Sequence, residues 1–313
     1  MHPVSRKLIA RSPRRLHVPI ELAVRTIDDT FHDRAPGLAA EVAFFVLLSL
    51  PPLLLTLLAS IGAVGNAFGA DWRADVGDAI RSASQIVFSA DTGGIIDRTV
   101  DALLQESRGS VIGIGLLLTF FSASRALRVI TTAITLAYDL ESTRKPWQQR
   151  LWGLGLTLGA LIVGLVVVPV LVAGPGLGAA VSEQVGGVPG LAALWRILYW
   201  PGAVLVLTLL ITVLYHLAAP WWTPFHRDLP GAVLAMLLWL GGTVALRAYA
   251  AQVIEGDALY EPIAGPLVVL LWLYVSGLSV LVGAELNSEI ERMWPSIATP
   301  SASTSSENEN SAP

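Results

Sequence analysis

Glu285 stands near the end of Ile263–Leu286, an apolar run of membrane-spanning length, in the context Val-Gly-Ala-Glu-Leu-Asn. Arg125 and Arg128 lie well inside another such run, Val111–Ala137. A charge in hydrocarbon costs roughly 2.5–3.5 kcal/mol on insertion scales, so charged side chains within spans usually face a partner or a water-filled cavity. Three residues apart on a helix, the two arginines share a face. At 1.5 Å per residue Arg125 is about 21 Å below Val111, in the inner half of a core about 30 Å thick. A guanidinium there can bind a carboxylate or a phosphate at two points. The carboxylates expected in the same half are Glu41, Asp139 and Glu285. The sharpest expectation is an Arg125–Glu285 pair with Asn287 as a supporting hydrogen-bond donor. Such a pair serves either to fix helix register or to offer charge to a permeating species, and the sequence leaves both open. Snorkelling to inner head groups is the competing reading, stronger for Arg128 than for Arg125.

Other chemistry is sparse. Ser49-Leu50-Pro51-Pro52 falls mid-way through the first apolar run. Proline removes a backbone hydrogen bond, so a kink is expected there, of the kind that lines transporter sites. Arg247 and Tyr249, near Glu255, Asp257 and Glu261, suggest an outer gate or a solvated interface. Gly155 and Gly159 have the spacing that permits close helix packing. There is no cysteine, no His-Glu-x-x-His and no Gly-x-Ser-x-Gly, so the motifs of zinc proteases and serine hydrolases are missing. The reading assigns no catalytic residue, no metal and no cofactor.

These groups need a membrane to hold them. The 313 residues are 54% hydrophobic and 14% charged, against about 25% charged in soluble proteins. Six segments approach the roughly 20 apolar residues of a spanning helix: Leu38–Val64, Val111–Ala137, Leu151–Ala173, Leu194–Leu217, Gly231–Ala251 and Ile263–Leu286. Arginine and lysine concentrate before the first span and between the second and third (Arg144, Lys145, Arg150). By the positive-inside rule both termini lie in the cytoplasm. Trp147, Trp152, Trp221 and Trp222 then mark the inner interface, and Trp195, Tyr199 and Trp200 the outer one. The basic N-terminus lacks the early apolar region of a cleavable signal.

Outside the spans, Ile20–Arg34 places Ile20, Val24, Ile27 and Phe31 on one face, as in a helix lying on the cytoplasmic surface. Asp71–Ser107 reads as two short amphipathic helices in the outer loop. The expected organisation is a basic, disordered 1–19, a membrane domain over 20–294, and a polar, disordered tail over 295–313.

From about Ile20 to Ile290 the chain resembles the virulence factor BrkB family, also called YihY, of bacterial inner-membrane proteins. The first span matches through Ala39, Ala40, Ala43, Phe44, Ser49 and Pro52. The second matches through Ser122, Ala123, Arg125, Ala126, Leu127 and the Ala137-Tyr138-Asp139 exit. Tyr215, Pro220, Pro230, Gly231, Ala232 and Trp239 follow in order. Leu271-Trp272-Leu273-Tyr274 and Gly283-Ala284-Glu285-Leu286-Asn287 complete the match. Glu41 departs from a small apolar position, and Tyr260-Glu261 from Tyr-Gly. The resemblance implies an all-α, six-span membrane protein with a role in transport or envelope integrity. Family members have also carried the label ribonuclease BN. The residues here argue against it, since no clustered His and Asp ligands and no basic aromatic RNA surface are present.

The expectation is therefore an integral protein of the cytoplasmic membrane, a transporter, exporter or lipid translocator rather than an enzyme. Its partners are membrane lipids and an anionic lipid or small-molecule substrate, and nucleic acid is not expected. The alternative is a non-catalytic scaffold in envelope assembly.

Overall fold

The computed structural model describes residues 17–68, 109–138, 147, 151–160, 162–164, 167, 191–218, 224–254 and 261–295. All regular structure among them is helical: α1 (His17–His32), α2 (Ala35–Phe68), α3 (Gly109–Ala137), α4 (Leu191–Ala218), α5 (Leu229–Ile254) and α6 (Glu261–Met293), with a single 3-10 turn at Phe225–Arg227 before α5. Five helical segments are long and apolar enough to cross a membrane: Ala35–Leu53, Gly113–Ala137, Ile197–Ala218, Phe225–Ala251 and Gly265–Met293. A shorter apolar helix covers Leu151–Gly164, the first part of the expected third span. The outer loop Asp71–Ser107 and both chain termini lie outside the described residues.

Helices are what this composition must form. Lipid offers no partner to a free N–H or C=O, so each span has to satisfy its backbone within itself. The side chains are then sorted opposite to those of a soluble protein. Leu117, Ile197 and Val244 are each about 70% exposed, whereas Thr157, Thr212, Asp228 and Ser288 are fully buried. Apolar surface facing outward costs nothing in lipid, and hydroxyls are kept where a carbonyl is in reach. Thr157, Thr208 and Thr212 each donate to the carbonyl four residues earlier at 2.7–2.8 Å.

The chain forms two compact units that share its long helices. One comprises residues 1–39, 130–240 and 278–313. Its core gathers Ile134 of α3, Tyr138 just after it, Tyr215 and Ala218 of α4, Ala232 of α5 and Ala284 of α6. Here the backbones of α5 and α6 approach closely at Gly231 and Gly283. A Cβ on Gly231 would overlap the Gly283 carbonyl and the Asn287 side chain, and one on Gly283 would overlap the Gly231 carbonyl and the Tyr215 hydroxyl. Tyr215 Oη donates to the Val280 carbonyl at 2.6 Å, joining α4 to α6. At the start of α4 the rings of Trp195, Tyr199 and Trp200 pack in sequence.

The other unit comprises residues 40–129 and 241–277. In it α2 carries Pro51 and Pro52, where a kink is expected, within one continuous helix. Neither proline has an N–H for the carbonyls of Leu47 and Leu48. The Ser49 hydroxyl does not replace those bonds, because it donates to Val46 at 2.6 Å. A Cβ at Gly155 or Gly159 would meet no described residue within 4 Å, as a chance match of spacing among 28 glycines would give.

Between α1 and α2 the chain turns on Arg34, whose φ of 57° lies in the left-handed region. α1 buries Thr26 and Thr30 and leaves Ile27 and Phe31 exposed.

The glycine contact makes a clear contrast. Gly231→Ala or Gly283→Ala should lower stability by about 3 kcal/mol or more, because backbone cannot yield as a side-chain tip does. Gly241→Ala, with open space at its Cβ, should be neutral or gain about 0.5–1 kcal/mol from helix propensity. Thermal unfolding in detergent, followed by tryptophan fluorescence, separates the two.

Candidate functional site

The polar residues converge on the last turns of α6. From Gly283 to Glu291 nearly every position is buried, including Glu285, Asn287, Ser288, Glu289 and Glu291. The sequence placed the end of this span at Leu286, but the helix continues through Met293. A helix of 33 residues is about 50 Å long, well over a core of about 30 Å. Its polar final turns therefore extend beyond hydrocarbon while remaining packed in protein.

These turns satisfy the ends of the neighbouring helices. The opening of α5 leaves few backbone donors to satisfy, because Pro230 has no N–H and Ala232 already bonds the Asp228 carbonyl at 3.2 Å. Gly231 N–H donates to Asn287 Oδ1 at 2.7 Å, and Asn287 Nδ2 donates to the Asp228 carbonyl at 3.0 Å. Asn287 thus engages the start of α5 with both ends of its amide. At the end of α3 the Ala137 carbonyl accepts from Ser288 Oγ at 2.5 Å and from Arg292 Nη2 at 3.0 Å.

Ion pairs surround these bonds. Arg292 Nη1 reaches Asp29 of α1 at 2.8 Å and Glu289 at 2.6 Å. Arg25 of α1 pairs with Glu21 at 2.5 Å and lies 3.9 Å from Glu289. Arg227 bonds Glu291 at 2.7 Å and also donates to the Trp294 carbonyl. His216 Nδ1 is 3.2 Å from Asp228 Oδ2, and its ring packs edge-on against Phe225. Pairs as exposed as Arg292–Asp29 contribute about 1 kcal/mol or less. Leaving a buried backbone group without its partner costs about 1–3 kcal/mol, so the Asn287 and Ser288 bonds dominate. Burial first, then the carboxylates of Asp228, Glu291 and Glu285, hold the Tyr138 phenol above the usual tyrosine range. It stays neutral.

Glu285 differs from its neighbours. It is 2% exposed, and its Oε2 has no hydrogen-bond partner among the described residues. Glu289 Oε2 also lacks a hydrogen bond, but Arg25 faces it. The other expected site residues belong to the second unit or lie outside the described residues. Arg125 belongs to the second unit, exposed, with its guanidinium carbon 4.8 Å from the centre of the Phe45 ring. Arg128 is half-buried and turns back to the Ser124 carbonyl at 3.4 Å. Glu41, Arg247 and Tyr249 are exposed in the same unit. Asp139 lies outside the described residues. Sequence reasoning overlooked Ser288, Glu289, Glu291, Arg292, Arg227, Asp228 and His216. The absence of a helix breaker between Leu286 and Pro295 was the available signal. Among the described residues, no group of three His, Asp or Glu side chains could hold a metal ion.

The sequence pattern of the virulence factor BrkB family matches residues 26–308. The chain belongs to this family. Its curated relatives include ribonuclease-like protein YfkH of Bacillus subtilis, 26% identical over 81% of this chain and 89% of the relative. A UPF0761 membrane protein of Tolumonas auensis is 28% identical over 83% of this chain and 82% of its own. UPF0761 membrane protein VV0203 of Vibrio vulnificus is 25% identical over 90% and 85% respectively. No solved structure matches the chain. With five spanning-length helices, this BrkB family member is a multi-pass membrane protein.

Asn287→Ala should lower stability by about 1–3 kcal/mol, since Gly231 N–H loses its buried acceptor, whereas the Asp228 carbonyl keeps Ala232 N–H. Glu41→Gln, at an exposed position, should change it by less than about 0.5 kcal/mol. Thermal unfolding of the two purified variants beside wild type provides the comparison.

Proposed function

We infer that the protein translocates lipid across the cytoplasmic membrane, with Glu285 as the polar group offered to the moving head group or to a coupling proton. The contrast at the end of α6 carries this reading. Glu289 and Glu291 each hold an arginine through one carboxylate oxygen, whereas the buried Oε2 of Glu285 has no hydrogen-bond partner among the described residues, a lack it shares with Glu289 Oε2. An ionisable group kept unpaired inside a span is expensive, and such groups mark pathways more often than architecture. Arg125, Arg128 and Asp139 are the further charges assigned to the same half of the membrane. Six spans with both termini inside complete the proposal, Leu151–Ala173 being the third, with α1 on the cytoplasmic surface.

A second reading has its own support. Asn287, Ser288 and Arg292 join three helix ends, which is how a register device in an envelope scaffold would be built. Function and abundance would then fall together in every variant of the cluster.

Leaflet exchange of fluorescent phosphatidylglycerol in proteoliposomes separates the two. Wild type should exchange lipid faster than protein-free vesicles. Glu285→Gln, folded and equally abundant, should be about tenfold slower, the factor that about 1.4 kcal/mol commands. Folded wild type that exchanges no faster than empty vesicles would overturn lipid translocation.

A further inference from the structure

Arg125 is in an unusual place for a cation. α3 spans 29 residues, Gly109–Ala137, and so measures about 43 Å. Its midpoint is Ala123, which puts the Arg125 backbone only about 3 Å from the middle of the helix. With α3 centred in the bilayer, the nearer head groups are about 12 Å away along the axis. That exceeds the reach of the side chain.

The guanidinium is nevertheless on the outside of its unit. Arg125 is exposed, and so are Phe44 and Leu48 of α2 and Leu118 and Phe121 of α3. These large apolar residues mark lipid-facing surface. Ser124, the preceding residue, is buried, and its hydroxyl donates to the Phe121 carbonyl at 2.9 Å. Arg128, one turn on, bonds the Ser124 carbonyl through Nε. Arg125 has a different contact: its guanidinium lies over the Phe45 ring, 4.8 Å from the centroid. Stacking on a ring face steadies the cation and leaves its edge of N–H donors free to point elsewhere. Among the described residues no hydrogen bond or ion pair engages them.

A planar fork of N–H groups on an apolar surface matches one class of membrane component. Phosphate oxygens accept two parallel N–H bonds from arginine, and the exposed Phe and Leu side chains suit acyl chains. A zwitterionic lipid brings its own cation to such a site, whereas an anionic lipid brings net charge complementary to the arginine. We propose that Arg125, held over Phe45, binds the phosphate of an anionic phospholipid within the membrane, as a station between the two leaflets. The role as a station rests on the translocation reading above; the binding of lipid does not.

The test keeps these two apart. Full-length protein is purified into vesicles of phosphatidylcholine with a minor fraction of phosphatidylglycerol, re-extracted, and weighed by native mass spectrometry for retained lipid. Wild type should retain phosphatidylglycerol over phosphatidylcholine. Arg125→Gln should reduce that preference about tenfold, a loss expected for a charge-assisted bidentate contact. Arg125→Lys should restore part of it, and Phe45→Leu should weaken it while leaving the arginine in place. Circular dichroism confirms that each variant is folded. A parallel arm adds inorganic phosphate in excess. Displacement of phosphatidylglycerol by free phosphate would reassign the site to a soluble anion and overturn the lipid proposal. Equal retention by wild type and a folded Arg125→Gln would overturn it as well. Retention that depends on Arg125 without leaflet exchange would leave the lipid site standing and remove the translocation reading.

Discussion

The amide of Asn287 is the point on which the first unit depends. Its oxygen takes the Gly231 N–H and its nitrogen holds the Asp228 carbonyl, so one side chain of α6 seats the first turn of α5. This is possible only because two glycines allow the helices to meet. Side chains at 231 and 283 would push the backbones apart and remove Asn287 from reach. Ser288, the next residue, bonds the final carbonyl of α3. Packing and hydrogen bonding are therefore one requirement here: close approach makes the bonds, and the bonds relieve the helix ends of their unsatisfied groups.

The same segment explains why the membrane protein keeps so much charge in one place. Helix ends at a bilayer edge expose backbone groups that neither lipid nor bulk water meets reliably. A helix that overruns the hydrocarbon, as α6 does, brings side chains to those ends. Arg292 shows the economy of the arrangement, since a single guanidinium contacts Asp29, Glu289 and the Ala137 carbonyl. Glu285 falls one turn inside this region, its Oε2 buried without a hydrogen-bond partner among the described residues.

Much of the helical frame was legible because its signals are local. Apolar runs long enough to span located five helices to within a few residues at most of their ends, since hydropathy and backbone satisfaction act on consecutive residues. The end of α6 was the least legible boundary, because the helix runs on past the expected span end at Leu286 to Met293. Asn287, Glu289 and Glu291 continue the helix into protein rather than into solvent. Glu285 was recognisable as a charge out of place. The partners of Asn287 were not, because a bond from 287 to 231 has no signature in the spacing of either segment. The prolines report the loss of two N–H groups, and α2 carries both within one continuous helix. Arg125 was recognisable as a cation within an apolar run, but its position over Phe45 on an exposed face came only from the structure.

The most direct measurement of the central claim is residue-resolved amide exchange at Gly231, in wild type and in Asn287→Leu. If the end of α6 seats α5, Gly231 should be protected in wild type and exchange at least about tenfold faster in the variant, as loss of its buried acceptor requires. Equal exchange in the two, with both proteins folded, would contradict the account, since α5 would then hold its first turn without α6.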